Sequence, residues 1–289
     1  MSGSLKMQTI NDHCTVARGD NGIAQLTICN AGPLNIMNSA VIRSVREGLE
    51  LLATDTSIRV LVVRGSGEKS MIGGADIKEM ATLDQASAEK FITGLRDLCE
   101  AVRQFPAPVI ARLRGFCLGG GLEFAAACDL RIASQDAKFA MPEVKVGIPS
   151  VIHAALLPRL IGWGRARWLI LTAATIDAPT ALNWGLVDQV VAETDLDAAI
   201  AATASAIAEC GPEAMRSQKA LLKQWEELPL TESVNLSVGV FGKSFLTGEP
   251  QRHMQAFLDR RKLFIRRTKI SHACGMPRHV LNVGLLVRI

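Results

Sequence analysis

Val109-Ile110-Ala111-Arg112-Leu113-Arg114-Gly115-Phe116-Cys117-Leu118-Gly119-Gly120-Gly121-Leu122-Glu123 runs from a short apolar segment, through a glycine-bounded stretch, into a glycine triplet. After Pro106 and Pro108, Val109 to Leu113 reads as a strand, Gly115 to Leu118 as a loop, and alanine-rich Leu122 to Cys128 as a buried helix. The same alternation recurs on either side. Val60 to Val63 is a fully apolar β-branched run bounded by Gly65 and Gly67, as a buried strand requires. A helix is predicted from about Asp84 to Gln104, and strands at Leu130 to Ala133 and Lys138 to Met141. Upstream, Ile23 to Ile28 alternates apolar and polar residues, and Asn30-Ala31-Gly32-Pro33 breaks that strand. Ser39 then reads as the N-cap of a helix that carries Val41, Val45, Leu49 and Leu52 on one face. Strand, strand, helix in repetition implies an α/β domain. From Leu196 the strand signals stop and helical patterns fill the chain to Phe264. The predicted division is therefore an α/β core over 8–195, a helical region over 196–266 and a tail over 267–289 that fits neither.

Bulk properties narrow the function classes. With 289 residues, 48% hydrophobic and 21% charged, the chain can bury a substantial core. No window approaches 18 uninterrupted apolar residues, so no membrane span or membrane partner is predicted. Met1 to Cys14 has no apolar h-region and is poor in arginine, so neither a secretory signal nor a transit peptide is read. Seven cysteines, at 14, 29, 99, 117, 128, 210 and 274, form no CxxC pair and have no histidine at ligand spacing. They predict reduced thiols in a cytoplasmic setting, without a zinc site. The net charge of +4 is local: eight Lys/Arg and no acids lie from Arg260 onward, which leaves residues 1–259 with 24 bases against 28 acids.

Two glycine clusters carry the chemistry. Gly73-Gly74-Ala75-Asp76-Ile77-Lys78-Glu79-Met80 permits backbone conformations that turn amides toward a ligand, although a Gly-Gly turn before an Asp N-cap explains it equally. At Gly119-Gly120-Gly121 unsatisfied N–H groups and a helix N-terminus converge, which favours an anion or oxyanion, although close helix–strand packing also calls for such a triplet. A dinucleotide site is disfavoured, because G-x-G-x-x-G is absent and no acidic residue follows about twenty positions on at the end of a second strand. Glu123 falls in the first turn of an almost wholly apolar helix, and Glu143 follows Met141-Pro142. Each alone reads as a capping or surface carboxylate. Two carboxyls meeting in a dry pocket instead divide into acid and base.

In order along the chain, Gly74-Ala75-Asp76-Ile77-Lys78-Glu79-Met80, Pro108-Val109-Ile110-Ala111 with Gly115 through Glu123, Cys128-Asp129-Leu130, and Phe139-Ala140-Met141-Pro142-Glu143 resemble the enoyl-CoA hydratase/isomerase, or crotonase, superfamily. The resemblance covers roughly Ile23 to Phe264. It implies a spiral of repeated ββα units followed by a helical assembly region, with trimers or hexamers as the assembly. It implies that the amides of Ala75 and Gly120 hold the thioester oxygen and that Glu123 and Glu143 move protons and water. It further places Gly74, Asp76, Ile77, Lys78, Gly119, Gly121, Pro149 and Ser150 around the substrate. Asn30 to Asn35 looks like the family's coenzyme A loop, with Ala31 where arginine is usual. Phe257-Leu258-Asp259-Arg260-Arg261-Lys262 resembles the final helix, whose Arg260 and Lys262 would meet the nucleotide phosphates. One departure stands out: the family's I-P-G-x-G-G-T-x-R-L stretch reads Ile148-Pro149-Ser150-Val151-Ile152-His153-Ala154 onward, without its glycines. His153 either faces the pocket or is a hydrogen-bonded core residue.

The implied reaction is reversible syn addition of water to a trans-2-enoyl-CoA, an acyl-CoA substrate. Glu123 would orient and deprotonate the water and Glu143 would deliver a proton to the α-carbon. No metal and no redox cofactor is implied, and coenzyme A is part of the substrate. The rival readings are a Δ3,Δ2-enoyl-CoA isomerase, an acyl-CoA hydrolase, and a non-catalytic RNA-binding member using Arg260 to Lys269. The retained glutamate pair disfavours the last, so no nucleic-acid partner is expected.

Overall fold

The structure, a computed structural model, describes residues 6–260. Three antiparallel strands open the chain, β1 (Lys6–Asn11), β2 (Cys14–Arg18) and β3 (Ile23–Ile28), followed by α1 (Ser39–Ala53). Three turns of a spiral come next. The first holds β4 (Val60–Gly65), β5 (Ser70–Ile72), α2 (Ile77–Met80) and α3 (Gln85–Arg103), and the second β6 (Val109–Leu113), β7 (Phe116–Leu118) and α4 (Gly120–Ala127). The third holds β8 (Leu130–Ser134), β9 (Lys138–Ala140), the 3-10 turns Glu143–Val146 and Ile152–Leu156, and α5 (Leu157–Thr172). After them come β10 (Ile176–Asp177), α6 (Ala178–Trp184), β11 (Gln189–Val191), α7 (Leu196–Ala208) and α8 (Pro212–Glu227).

Each turn sends its first strand to one sheet and its second to another. The large sheet has the order β1-β2-β3-β4-β6-β8-β11 and is parallel from β3 onward. The small sheet has the order β10-β9-β7-β5, with β5, β7 and β9 parallel. Because β4 and β6 are covered on both faces, their near-continuous apolar sequence is what a central parallel strand needs. Alternate side chains then serve two cores. Leu61, Val63, Val109 and Ala111 join the main core with Leu49 of α1, Leu98 of α3 and Phe124 of α4. Val60, Val62, Ile110 and Ile132 point the other way and pack with Leu196, Ile200 and Ala204 of α7.

Several boundaries differ from the sequence reading. Asn38, not Ser39, caps α1, its side chain accepting from the Val41 amide at 2.9 Å, while the Ser39 amide donates to Glu79. Asp84 and Gln104 prove to be the two caps of α3, with an Asp84–Ser87 capping box at its start. Phe116 to Leu118, read as loop, is a strand of the small sheet, and the three-residue β5 went unread. The chain forms two compact units, to Glu226 and from Glu227, and not a division after residue 195. The reason is α7: its apolar face covers the outer side of β4, β6 and β8, so it belongs to the core. The second unit, as far as it is described, holds α9 (Leu230–Ser244), a 3-10 turn at Phe245–Thr247 and a helix over 249–260 that carries Arg260; Arg261, Lys262 and the tail over 267–289 lie outside the described residues.

The placement of α7 is testable. Ile200→Ala should destabilise the protein by about 2–4 kcal/mol, as buried Ile-to-Ala changes do, visible as a lowered urea midpoint. A change only in oligomeric state, with the midpoint unmoved, would return α7 to an assembly region.

Candidate active site

The three parallel strands of the small sheet end at one place. The C-terminal end of β5 leads into Gly73-Gly74-Ala75, that of β7 into Gly119-Gly120, and that of β9 into Pro142-Glu143. Ligands of parallel α/β sheets gather at the carboxyl ends of strands. Here a cavity of about 650 Å³ is lined by those residues, by Glu123 one helical turn further on, and by Ile77, Leu118 and Pro149. Its walls are predominantly apolar. They come from Ala88, Phe91, Ile92 and Leu95 on one face of α3, from Met80 and Leu83, and from Val146, Ile148 and Val151.

Two backbone amides of cavity-lining residues, those of Ala75 and Gly120, have no acceptor among the described residues. Met37 bridges to Ala75 in parallel, and the flanking groups make the bonds: the Met37 amide donates to Gly74 O at 2.9 Å and the Asp76 amide to Met37 O at 3.0 Å. In such a pairing the residue between faces the opposite edge. The Ala75 N–H is therefore turned away from Met37, and among the described residues it has no protein acceptor. Gly120 is the first residue of α4, where an N–H has no intrahelical partner, and it too donates to no described acceptor.

The glycine triplet is required by geometry at two positions. Gly119 has φ +52° and ψ −124°, outside the range of L side chains, and a Cβ there would lie 2.4 Å from Glu143 Oε1. A Cβ on Gly121 would meet the Ile72 carbonyl at 2.4 Å, so this residue fixes α4 against β5. Both readings of the triplet, amide presentation and tight packing, are realised at once.

The carboxyls are unequal. Glu123 is 3% exposed, and its Oε1 accepts from the Ala154 amide at 3.0 Å. Burial pushes its pKa up to about 8; the Ala154 bond opposes that and the nearby Glu143 adds to it. Glu143 is half-buried, and its Oε2 accepts from Ser150 Oγ at 2.9 Å. Burial therefore favours the protonated form of Glu123.

Of the substrate residues read from the sequence, Gly74, Ile77, Gly119 and Pro149 line the cavity, with Ala75, Gly120, Glu123 and Glu143. Four others stand behind it. Asp76 caps α2 through the Lys78 and Glu79 amides, Lys78 is exposed, Gly121 is packed on Ile72, and Ser150 holds Glu143. Asn35 of the expected coenzyme A loop is fully buried and donates to Ser66 O and Ser70 O at 3.0 and 2.8 Å, a staple within the fold. His153 is buried behind the cavity wall and hydrogen-bonded to Glu100 Oε1 at 2.9 Å. The apolar face of α3 and the Ala154 amide were not singled out from the sequence. The i, i+3, i+4, i+7 spacing of Ala88, Phe91, Ile92 and Leu95 was a signal for the former, whereas nothing marked the latter. Among the described residues no cluster of His, Cys, Asp and Glu is arranged as metal ligands, and no helix is long and apolar enough to cross a membrane.

Comparison with known proteins agrees with this geometry. The family model described as enoyl-CoA hydratase/isomerase matches residues 18–266. The chain is 34% identical over 241 residues to the crotonyl-CoA hydratase of Syntrophomonas wolfei, covering 83% of this chain and 93% of that protein. It is 34% identical over 242 residues to the short-chain-enoyl-CoA hydratase of Clostridium acetobutylicum, with the same coverage of each. Among solved structures it is similar to an enoyl-CoA hydratase from Bacillus anthracis, with TM-score 0.82 and 29% identity over 86% of this chain and 97% of that one. With a spiral of ββα units, a family match over most of its length and relatives above 30% identity, the chain belongs to the enoyl-CoA hydratase/isomerase, or crotonase, family.

Proposed function

We propose that the protein is an enoyl-CoA hydratase, a hydro-lyase that adds water reversibly to a trans-2-enoyl-CoA. The observation that carries this reading is the pair of carboxyls, Glu123 and Glu143, opening into one apolar cavity beside two unengaged amides. The thioester oxygen accepts from the Ala75 and Gly120 amides. As water adds to the β-carbon, negative charge moves to that oxygen, and preformed donors stabilise it there without reorganising. Glu123 takes a proton from the water and Glu143 delivers one to the α-carbon, so the pair ends with the proton count it began with. Dehydration runs the same steps backward, with acid and base exchanged.

Burial favours the protonated form of Glu123, the form from which dehydration starts. Hydration requires that proton on Glu143. An isomerase of the same family needs only one proton shuttle, which is why the pair favours hydration. The six described cysteines are all free thiols, which supports the cytoplasmic setting, and the exposed Leu230, Val234, Val238 and Phe241 of α9 support assembly into trimers or hexamers.

On mixing with crotonyl-CoA, the wild-type protein should abolish the absorbance of the conjugated thioester and form 3-hydroxybutyryl-CoA. Glu123→Gln and Glu143→Gln should each lower kcat by about 10²–10⁴ with KM little changed. Near-normal turnover in either would remove the mechanism, and a product with a shifted double bond would assign an isomerase instead.

The active state carries one proton on the pair, so kcat/KM should fall as pH rises through about 8, where Glu123 loses it. Stability gives an independent check. The folded pKa of Glu123 lies above its unfolded value, so between the two the folded state binds more protons and stability declines as pH rises, levelling off above about 8. Glu123→Gln removes this dependence. Its unfolding free energy from urea titration should match wild type near pH 4 and exceed it at pH 9, by an amount on the order of a few kcal/mol.

A further inference from the structure

The segment without the family's glycines is where the structure holds tension. Ile152 has φ +42°, a left-handed conformation that a β-branched side chain opposes and that glycine adopts freely. Two residues on, the Ala154 amide makes the bond to Glu123 Oε1. A turn under such strain keeps its shape only if something holds it. Between the two lies His153, whose Nε2 is 2.9 Å from Glu100 Oε1.

That contact is anchored on both sides. Burial works against the charge of Glu100, but hydrogen bonds from His153, Arg103 and Gln104 hold its pKa down to about 2, so it is an ionised acceptor. An ionised carboxylate has no proton to give, so the Nε2 of His153 must carry the hydrogen. Arg103 bonds Glu100 at 3.0 Å and Glu226 at 2.7 Å, fixing the carboxylate on α3. His153 does not line the cavity. Its Nδ1 is buried without a described partner, so Glu100 is its one described polar anchor. The anchor therefore ties the strained turn to the helix that forms the acyl wall.

The geometry points to His153 as a positioning residue: the Glu100–His153 pair clamps the 152–154 turn and so sets the Ala154 amide on Glu123. This inference rests on Glu123 belonging to the proton-carrying pair. Titratable groups surround Glu123 from several elements, and Glu89 of α3 and Lys145 of the 3-10 turn Glu143–Val146 line the same cavity. Glu143 lies across the cavity, Cys99 of α3 is a buried thiol beside it, Cys117 of β7 is buried with its Sγ donating to Gly121 O, and β5 presents no titratable group. The Ala154 amide is the one contact that favours the Glu123 anion. Loosening the turn removes that contact, which displaces the carboxyl and raises its pKa.

The test uses the full-length protein with His153→Ala, His153→Gln and Glu100→Gln. The glutamine at 153 keeps a side-chain donor for Glu100. His153→Ala should lower kcat for crotonyl-CoA at pH 7 by about 10–100-fold, as a displacement near 1 Å does, with KM within about twofold of wild type. It should also move the alkaline limb of kcat/KM upward by roughly half a pH unit or more, and His153→Gln should recover most of both effects. In the ligand-free protein, the pH at which the urea midpoint levels off, compared with the same chain bearing Glu123→Gln, should move upward in parallel. An unmoved limb and an unmoved levelling pH in a folded His153→Ala variant would overturn the clamp. If that variant does not fold, Glu100→Gln, which keeps an acceptor but loses the charge, must shift both readouts in the same direction or the clamp is overturned. Wild-type protein that fails to hydrate crotonyl-CoA while the ligand-free shift persists would overturn the hydratase reading alone.

Discussion

A backbone carbonyl of β5 lies where a Cβ on Gly121 would have to be, and that contact sets how near α4 comes to the small sheet. Everything in the site is measured from it. With α4 seated on Ile72, its first amide, at Gly120, reaches the level at which the chain leaving β5 presents the Ala75 amide. One turn further along α4, Glu123 enters the same cavity. Gly119 joins the carboxyls: its carbonyl accepts from the Glu123 amide at 3.0 Å, and its bare Cα gives Glu143 room to cross. A side chain at Gly121 would push on backbone, which cannot yield as a flexible side chain can, and at Gly119 the positive φ opposes any side chain while a Cβ would displace the Glu143 carboxylate.

The same packing explains why Glu123 behaves unlike an ordinary first-turn glutamate. In an exposed helix such a residue is ionised and complements the dipole. Here the helix is buried throughout, so the ionised form must give up water, and the single amide it receives does not compensate. The fold thus stores a proton by desolvation, at a cost to stability that grows as pH rises. Ser150, expected at the substrate, instead holds the other carboxyl from outside the cavity. The polar groups that set the pair's geometry are consequently not the ones that touch the acyl group.

How much of this could be read from the chain follows from the range of each interaction. Capping is local, so Asp84 and Gln104 bracketed α3 from sequence, while Asn38 was missed beside an equally plausible Ser39. Near-continuous apolar runs marked β4 and β6, because both faces are covered. The three-residue β5 and β7 have no room to show any period, and they became strands only by pairing across the spiral. The glutamates were recognisable through the ordered motifs that resemble the family, but their inequality was not, because it comes from burial by residues distant in sequence. Nor was the role of α7, whose apolar face looks the same whether it covers a sheet or a neighbouring subunit.

The topology also separates what is fixed from what can vary. Both amides and Glu143 follow directly from strand ends of one parallel sheet, whose spacing is set by backbone hydrogen bonds and responds little to side-chain change. The acyl walls, by contrast, are the side chains of α3 and of the loop from Val146 to Val151, which can be exchanged without moving a strand. A chain built this way can alter the acyl group it accepts while keeping its proton chemistry, provided the turn at Ile152 to Ala154 still delivers its amide. That condition is demanding in this chain, because the turn lacks the glycines that would adopt its shape without strain. It is met by the polar contact between Glu100 and His153, outside the cavity, where changes to the acyl wall need not reach it.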